Sequence, residues 1–228
     1  MRIRFKFASK GGLIPFAYQD ALRSVLHRWL GERNLWHGQV RSKFGFSNLL
    51  NLRSVGRHGL RLRHGAQTVD WIVGFYDPVP ARQMLERGIE LRYGFGDLNL
   101  VEVQLEAEPL ALPHELRVLS PVLVKTLAGN DTPHGLGRWD HLLPSDPDHS
   151  EYLTNTFRRK LADVGLDAGS IELRMAEPFQ TKLIKIKETL NRCAVSPVTF
   201  IGATDEQVRF ARDCGIGQST GCGFGFLE

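Results

Sequence analysis

The chain has 228 residues, of which 42% are hydrophobic and 24% are charged, a composition typical of a globular protein with one large or two small domains. Lys and Arg outnumber Asp and Glu by 29 to 25, and the net charge of +4 mildly favours a polyanionic partner. No apolar stretch is long enough to cross a bilayer, which excludes a helical membrane protein.

The first half of the chain predicts a strand, a helix, further strands, a second helix and a last strand. Alternation of Ile3, Phe5 and Phe7 with basic residues predicts the opening strand and a cationic outer face. The first helix carries apolar residues at helical spacing and ends at Gly31. Residues 42–50 and 60–77 predict strands, the latter folded as a hairpin at "HGAQ". A second helix is predicted over 78–90 and a strand over 99–109.

The second half repeats this order. Strands are predicted over 114–128, 171–190 and 194–203, with helices over 150–166 and 204–214. Thr204 followed by Gln207 forms a capping-box signature at the start of the last helix. Residues 127–150 are mostly turn formers and predict a long loop, and the run Arg158–Lys160 predicts a solvated helix face.

Two such units predict an α+β fold of two tandem ferredoxin-like (RRM-like) domains with antiparallel sheets. The segment "EPLALPHEL" is the natural hinge, so we expect domains at residues 1–112 and 113–228.

Cysteine usage and the N-terminus indicate the compartment. Cys193, Cys214 and Cys222 have no C-x-x-C spacing, which argues against a disulfide framework and a zinc knuckle. The N-terminus lacks the apolar core of a signal peptide. We therefore expect a cytoplasmic protein, without a membrane partner.

The segment "GIGQSTGCGFGFLE" at residues 215–228 carries five glycines. A dinucleotide fingerprint is excluded because these glycines follow a helix, and a Walker loop is excluded because the G-K-[ST] lysine is missing. Two interpretations stay open. The segment is either a helix cap that leads into a final strand, or a nest of backbone N–H groups that binds phosphate, with Ser219 and Thr220 as added donors.

This segment resembles the C-terminal glycine-rich loop, G-h-G-x5-G-h-G with h hydrophobic, of the CRISPR repeat-processing endoribonucleases in the RAMP superfamily. Its fixed positions are filled by Gly215, Ile216, Gly217, Gly223, Phe224 and Gly225. Segments 14–31, 43–49, 116–126 and 152–161 resemble further elements of the family in the same order.

The resemblance implies two ferredoxin-like domains that bind RNA between them and cleave a precursor RNA within each repeat, usually without metal. Five residues of the loop, "QSTGC", lack the Lys or Arg usual there, so phosphate binding would depend on amides and hydroxyls.

Metal-independent cleavage needs a group that moves protons and a cation beside the phosphate, roles that suit histidine and lysine. In the resembled family a catalytic histidine often lies between the first helix and the next strand. His37 in a predicted loop is therefore the preferred general acid/base, His27 within the helix is the alternative, Lys43 would stabilise charge, and Tyr18 would position the substrate. Some relatives work without an essential histidine, which would leave Lys43 and Arg41.

For RNA binding we expect the glycine-rich segment together with cationic side chains. The candidates are Gly215, Gly217, Gln218, Ser219, Thr220, Gly221, Gly223, Arg41, Lys182, Lys185 and Lys187. Lys185 and Lys187 are expected on one face of a hairpin, although lysines on exposed strands also serve solubility. The remaining histidines show no metal-ligand spacing, and we assign no metal and no cofactor.

The leading hypothesis is an endoribonuclease that cuts CRISPR precursor RNA within its repeats by 2′-hydroxyl attack, leaving a 2′,3′-cyclic phosphate and a 5′-hydroxyl. The alternative is a noncatalytic RAMP-type RNA-binding subunit of a CRISPR effector complex. An unrelated protein built on the same fold is the third hypothesis. The expected partner is CRISPR repeat RNA, with an effector complex and a second copy of the chain as further candidates.

Overall fold

The computed structural model describes residues 1–31, 41–86, 97–127 and 139–228. Within these ranges the chain forms an α+β fold of small antiparallel sheets and four α-helices. The strands are β1 (Arg2–Ser9), β2 (Phe44–Phe46), β3 (Leu52–Val55), β4 (Gly59–Leu62), β5 (Val69–Phe75), β6 (Leu98–Leu105), β7 (Glu115–Leu116), β8 (Val124–Leu127), β9 (Trp139–Leu142), β10 (Glu172–Met175), β11 (Gln180–Ile186), β12 (Thr189–Val195) and β13 (Val198–Ile201). The helices are α1 (Gln19–Leu30), α2 (Pro78–Glu86), α3 (His149–Ala162) and α4 (Asp205–Cys214), and a 3-10 turn covers Thr220–Cys222.

The first unit is a ferredoxin-like sheet with the order β2-β5-β1-β6. Counting only its own strands, this order is second, third, first, fourth, which is the ferredoxin-like arrangement. Phe5 in β1 lies opposite Trp71 in β5 and Val103 in β6. Ile3, Phe5 and Phe7 are buried, as their alternation predicts, and α1 adds Leu22 and Leu26 to the same core.

The second unit repeats that order with its own elements. Its sheet runs β10-β13-β7, and a bridge between Val118 and Leu227 occupies the place of the fourth strand. Helix α3 packs against β10, and α4 follows β13. The capping box at Thr204 and Gln207 is confirmed. This core is separate from the first and includes residues from Leu112 to Leu227. The boundary between residues 112 and 113 stays a proposal.

Each unit carries a β-hairpin between its second and third sheet strands. In the first unit this is β3–β4, and in the second it is β11–β12. The expected hairpin at "HGAQ" is therefore wrong, because the tight turn lies between Val55 and Gly59, and β5 pairs with β1 and β2 instead. The predicted loop 127–150 contains a strand, β9, which pairs with β8.

The basic residues of β1 do not form the expected cationic face, because acidic partners neutralise them. Arg4 pairs with Asp70 and Glu106, and Lys6 pairs with Glu102. Arg2 is buried, with its guanidinium 4.7 Å from the ring centroid of Phe226, and it donates to the Leu227 carbonyl at 3.1 Å. Arg2 thereby joins the first sheet to the C-terminal residues of the second unit.

Glycines inside β2 and β5 let the end of α4 approach the first sheet closely. A Cβ on Gly45 would lie 2.9 Å from the Cys214 carbonyl oxygen, and one on Gly74 would overlap the Asp213 carbonyl oxygen. The Tyr76 and Phe210 rings meet edge to face beside this contact, with centroids 5.2 Å apart. The two units therefore pack through backbone as well as side chains.

None of the described helices combines the length and the apolar composition that a membrane crossing requires.

Candidate nucleic-acid interface

The glycine-rich segment, residues 215–228, lies between the two units and is packed from both sides. The amide N–H groups of Gln218 and Gly225 donate to the carbonyls of Leu123 and Pro121 in the second unit. On the other side, a Cβ on Gly223 would overlap the ring of Phe46 in β2. The final strand of the first interpretation is absent from the described residues, since only the bridge at Leu227 forms there.

The glycines are explained by positive φ angles and by close approach of the chain to itself. Gly225 has φ +65°, and a Cβ there would overlap the Ile216 carbonyl oxygen. Gly217 has φ +69°, and its Cβ would lie 2.7 Å from the Leu123 carbonyl oxygen. An L-residue would be strained in backbone and in packing at both positions.

A buried lysine from α3 holds this segment in place. The Lys160 ammonium donates to the carbonyls of Cys214 and Gly215 at 3.0 and 2.8 Å, and to Thr220 Oγ1 at 3.1 Å. Thr220 Oγ1 in turn donates to the Phe44 carbonyl at 3.4 Å. All three donors of the ammonium are used, and they join the end of α4 to the 3-10 turn and, through Thr220, to β2.

Burial lowers the pKa of Lys160 to about 8. The nearby Asp163 acts in the opposite direction and raises the pKa. Carbonyl oxygens at the C-terminus of α4 favour a cation there, which compensates part of the desolvation cost. The prediction that Arg158–Lys160 forms a solvated helix face is therefore wrong for Lys160, although Arg159 is exposed.

A cavity of about 380 Å³ opens beside this lysine. It is bounded by Arg41, Ser42, Lys125, Trp139, Thr156, Arg159, Lys160, Gly217, Gln218, Ser219 and Thr220. Four of these described lining residues are cationic and none is acidic, which suits an anionic ligand such as phosphate.

The cations differ in how far their charge is already compensated. Arg41 forms an ion pair with both carboxylate oxygens of Asp163, at 2.7 and 3.0 Å. Lys125 and Arg159 form no ion pair with any described acidic residue. The backbone N–H groups of Ser219 and Thr220 likewise donate to no described residue. Among the described residues, the cavity is thus lined by two cations without an ion-pair partner and by two residues whose backbone N–H groups donate to no acceptor.

Five of the predicted RNA-binding residues come together at this cavity: Arg41, Gly217, Gln218, Ser219 and Thr220. Gly215, Gly221 and Gly223 lie in the same segment but are buried within the packing. Lys182 and Lys185 are exposed on β11, which does not line the cavity. Lys187 lies in the turn after β11 with φ +50°, so it does not share a strand face with Lys185.

Of the four predicted catalytic residues, the structure describes Lys43, Tyr18 and His27. His37 lies outside the described residues. Lys43 immediately precedes β2, half-buried, and its carbonyl accepts from the Tyr76 N–H. Tyr18 is buried in the first core, where its hydroxyl accepts a hydrogen bond from the Leu49 N–H and burial raises the pKa of the phenol.

His27 lies on α1 beside the glycine-rich segment. Its ring meets Phe44 edge to face, with centroids 6.2 Å apart, and Phe44 is the residue whose carbonyl Thr220 contacts. One turn earlier on α1, an Nη of Arg23 lies 4.0 Å from Cys222 Sγ. Helix α1 therefore reaches the 3-10 turn from the first unit.

Sequence reasoning missed six of the described cavity residues: Ser42, Lys125, Trp139, Thr156, Arg159 and Lys160. Lys125 and Arg159 had no motif to mark them, and Trp139 was hidden among turn formers. No described group of three or more His, Cys, Asp and Glu side chains could hold a metal ion.

Packing around Gly225 predicts a strong effect of one methyl group. Gly225→Ala should lower the free energy of unfolding by about 3 kcal/mol, because it adds overlap with the Ile216 carbonyl to left-handed strain. Gly165→Ala is the matched control, since Gly165 has φ +77° with no atom within 4 Å of a Cβ, and it should cost only about 1 kcal/mol. Urea unfolding measures both, and equal losses would contradict the packing argument.

Burial of the Lys160 charge predicts a pH dependence of stability. The folded pKa of about 8 lies below the usual 10.5, so between these values the unfolded chain binds more protons and stability rises with pH. The unfolding free energy of the native chain minus that of Lys160→Met should therefore increase above pH 8, by at most about 1.4 kcal/mol per pH unit. Burial raises the pKa of the Cys214 thiol to about 12, and loss of Lys160 would raise it further, so the folded thiol stays protonated in both proteins over this pH range and its contribution largely cancels. A difference that stays constant from pH 7 to pH 9.5 would contradict the buried charge.

Comparison with known proteins supports the fold and identifies the family. Residues 107–228 match the family model of the CRISPR associated protein Cas6 C-terminal region. No curated protein matches the chain at a significant level by sequence.

Solved structures share the fold over the whole chain. A RAMP protein that binds different RNA substrates superposes with a TM-score of 0.84 at 16% identity, covering 100% of this chain and 98% of that one. A Cas6-related protein from Pyrococcus furiosus gives 0.83 at 18% identity, covering 100% and 97%. A CRISPR associated protein Cas6 gives 0.79 at 21% identity, covering 100% and 98%.

These structures confirm the expected tandem ferredoxin-like domains, and the family match, which spans more than half of the chain, confirms the resemblance seen in the sequence. The chain belongs to the Cas6 family of CRISPR-associated proteins.

Proposed function

We propose that the chain is a metal-independent endoribonuclease that cuts CRISPR precursor RNA within its repeats. The observation that carries the proposal is the cavity beside the glycine-rich segment, where Lys125 and Arg159 have no acidic partner among the described residues. Membership of the Cas6 family supports RNA processing. A further solved relative of the same fold, at a TM-score of 0.64 and 16% identity, is a Cas6 product complex.

The proposed reaction needs no group beyond the RNA and the protein. The 2′-oxygen next to the scissile phosphate attacks phosphorus while the bond to the 5′-oxygen breaks. The 2′-hydroxyl proton passes to a general base, and the leaving 5′-oxygen receives a proton from a general acid. The products are a 2′,3′-cyclic phosphate and a 5′-hydroxyl, and nearby cations offset the charge that grows on the phosphate oxygens.

We assign the proton transfers to His37, with His27 as the alternative. The position of His27 on α1, against Phe44 and next to the 3-10 turn, supports this alternative. Lys43 is the proposed charge stabiliser, and Arg41, which lines the cavity, assists if neither histidine is essential. Tyr18 is proposed to contribute only by fixing the position of α1 through packing, because its hydroxyl is enclosed in the core.

A noncatalytic RNA-binding subunit of a CRISPR effector complex is the second candidate. The same cavity would then hold a phosphate without cleaving beside it, and both histidines would be dispensable. We propose CRISPR repeat RNA as the partner in either case. Effector-complex assembly and self-association are separate proposals.

Cleavage of repeat RNA in EDTA tests the proposed reaction. The native protein should make one cut, which a 2′-deoxy sugar at the cut site abolishes because the nucleophile is gone. Substitution of the true general acid/base, His37→Ala or His27→Ala, should slow single-turnover cleavage by about 10²-fold to 10⁴-fold. His58→Ala, at an exposed position in the β3–β4 turn, is the matched control and should leave the rate unchanged.

Each alternative outcome has a clear meaning. Cleavage that survives both histidine variants would remove the histidine assignment and leave the cations. Tight RNA binding without any cleavage would contradict the endoribonuclease and favour the structural subunit. Activity that returns only on addition of a divalent metal would contradict the metal-independent mechanism.

A further inference from the structure

Trp139 is an exposed aromatic residue at the edge of the cationic cavity. It opens β9 and pairs with Leu127 of β8, while His141 pairs with Lys125. Residues at alternate positions of paired strands share a face, so Trp139 and Lys125 lie on the same side of this hairpin. Trp139 is 49% exposed and Leu127 is 60% exposed, which leaves an apolar surface next to a charged cavity.

The electrostatic surroundings of the ring favour a nucleotide over a purely apolar ligand. The Lys125 ammonium lies 5.1 Å from the ring centroid of Trp139, within the distance of a cation–π contact. Lys125, Trp139 and Arg159 line the cavity together with Ser219 and Thr220, whose backbone N–H groups donate to no described residue. A ligand that carries a flat π-system and a phosphate a few bonds apart would satisfy both features.

The size of the cavity limits what it can hold. Its volume of about 380 Å³ lies near the lower end of the range of about 300 to 1,000 Å³ found for small-molecule sites. Gln218 fixes the wall, because its side-chain amide donates to the Lys125 carbonyl at 2.9 Å and thereby ties the hairpin to the glycine-rich segment. A cavity of this size can hold one phosphate and its sugar. The attached base would then lie outside the cavity and stack on the Trp139 ring.

We infer that Trp139 and the cavity form a single-nucleotide subsite, in which one unpaired base of the bound RNA stacks on Trp139 and its phosphate contacts Lys125 and Arg159. This inference rests on the proposed function, since the nucleotide belongs to the repeat RNA. The subsite selects an unpaired nucleotide at one fixed position, because a base within a duplex cannot present its face to the indole.

Binding measurements with repeat RNA test the subsite. The probe is the source organism's CRISPR repeat RNA with a 2′-deoxy sugar at any cut site found in the cleavage assay, measured by fluorescence anisotropy. Trp139→Leu should weaken binding by about 10-fold to 100-fold through loss of stacking, and Trp139→Phe should retain most of the affinity. Phe16→Leu is the matched control, because Phe16 is also 49% exposed but does not line the cavity, and its affinity should equal that of the native protein.

A scan of the RNA with single abasic nucleotides separates stacking from a structural effect. One abasic position should weaken binding to the native protein as much as Trp139→Leu does, and the variant should show no further loss with that RNA.

Salt dependence separates the two parts of the subsite. Lys125→Met should reduce the log-log slope of affinity against salt by about 0.7, whereas Trp139→Leu should leave the slope unchanged.

Three results would overturn the subsite. Unchanged affinity of Trp139→Leu, or losses that add at every abasic position, would remove Trp139 as a stacking platform while leaving the proposed function intact. Failure of the native protein to bind repeat RNA at all would overturn the subsite and the proposed function together. Circular dichroism of each variant shows that any loss does not come from unfolding.

Discussion

One buried ammonium group holds the candidate site together. Lys160 joins two carbonyls at the end of α4 to the Thr220 hydroxyl, and Thr220 continues the chain of contacts to β2 of the first unit. Without these bonds, the carbonyls at the helix end would be buried and without partners, which is costly. The position of the 3-10 turn, and with it the floor of the cavity, therefore depends on one lysine from a third element.

The packing of this region explains the glycines better than ligand binding does. Gly225 and Gly223 allow the segment to pass within contact distance of Ile216 and Phe46, while Gly45 and Gly74 open the first sheet to α4. Five glycines in fourteen residues are compatible with a phosphate nest, one of the two interpretations that the sequence leaves open. In the structure most of them serve packing, and only a short stretch around Ser219 faces the cavity. Packing and ligand binding are divided among neighbouring positions of the same segment.

The helices and strands that local periodicity determines were predicted correctly from the sequence. Alternation identified β1, helical spacing identified α1 and α3, and the capping box placed the start of α4 correctly. Properties that depend on distant partners were not predictable in this way. Lys160 follows two arginines on a polar run, and its ammonium is buried against the end of α4 and the 3-10 turn, which come from distant parts of the chain. The β3–β4 turn was misplaced because "VGRHG" and "HGAQ" both contain turn-forming residues, and pairing with distant strands decides between them.

The bridge between Val118 and Leu227 has a consequence for the order of assembly. The first unit uses residues up to about position 106, so its core can form while the rest is still being synthesised. The second sheet closes only when residue 227 reaches a partner more than one hundred positions earlier in the chain. Closing so long a loop is slow compared with local folding. The cavity, which needs the same segment, is therefore completed last, and a nascent chain has no finished site for RNA until its synthesis has passed this residue.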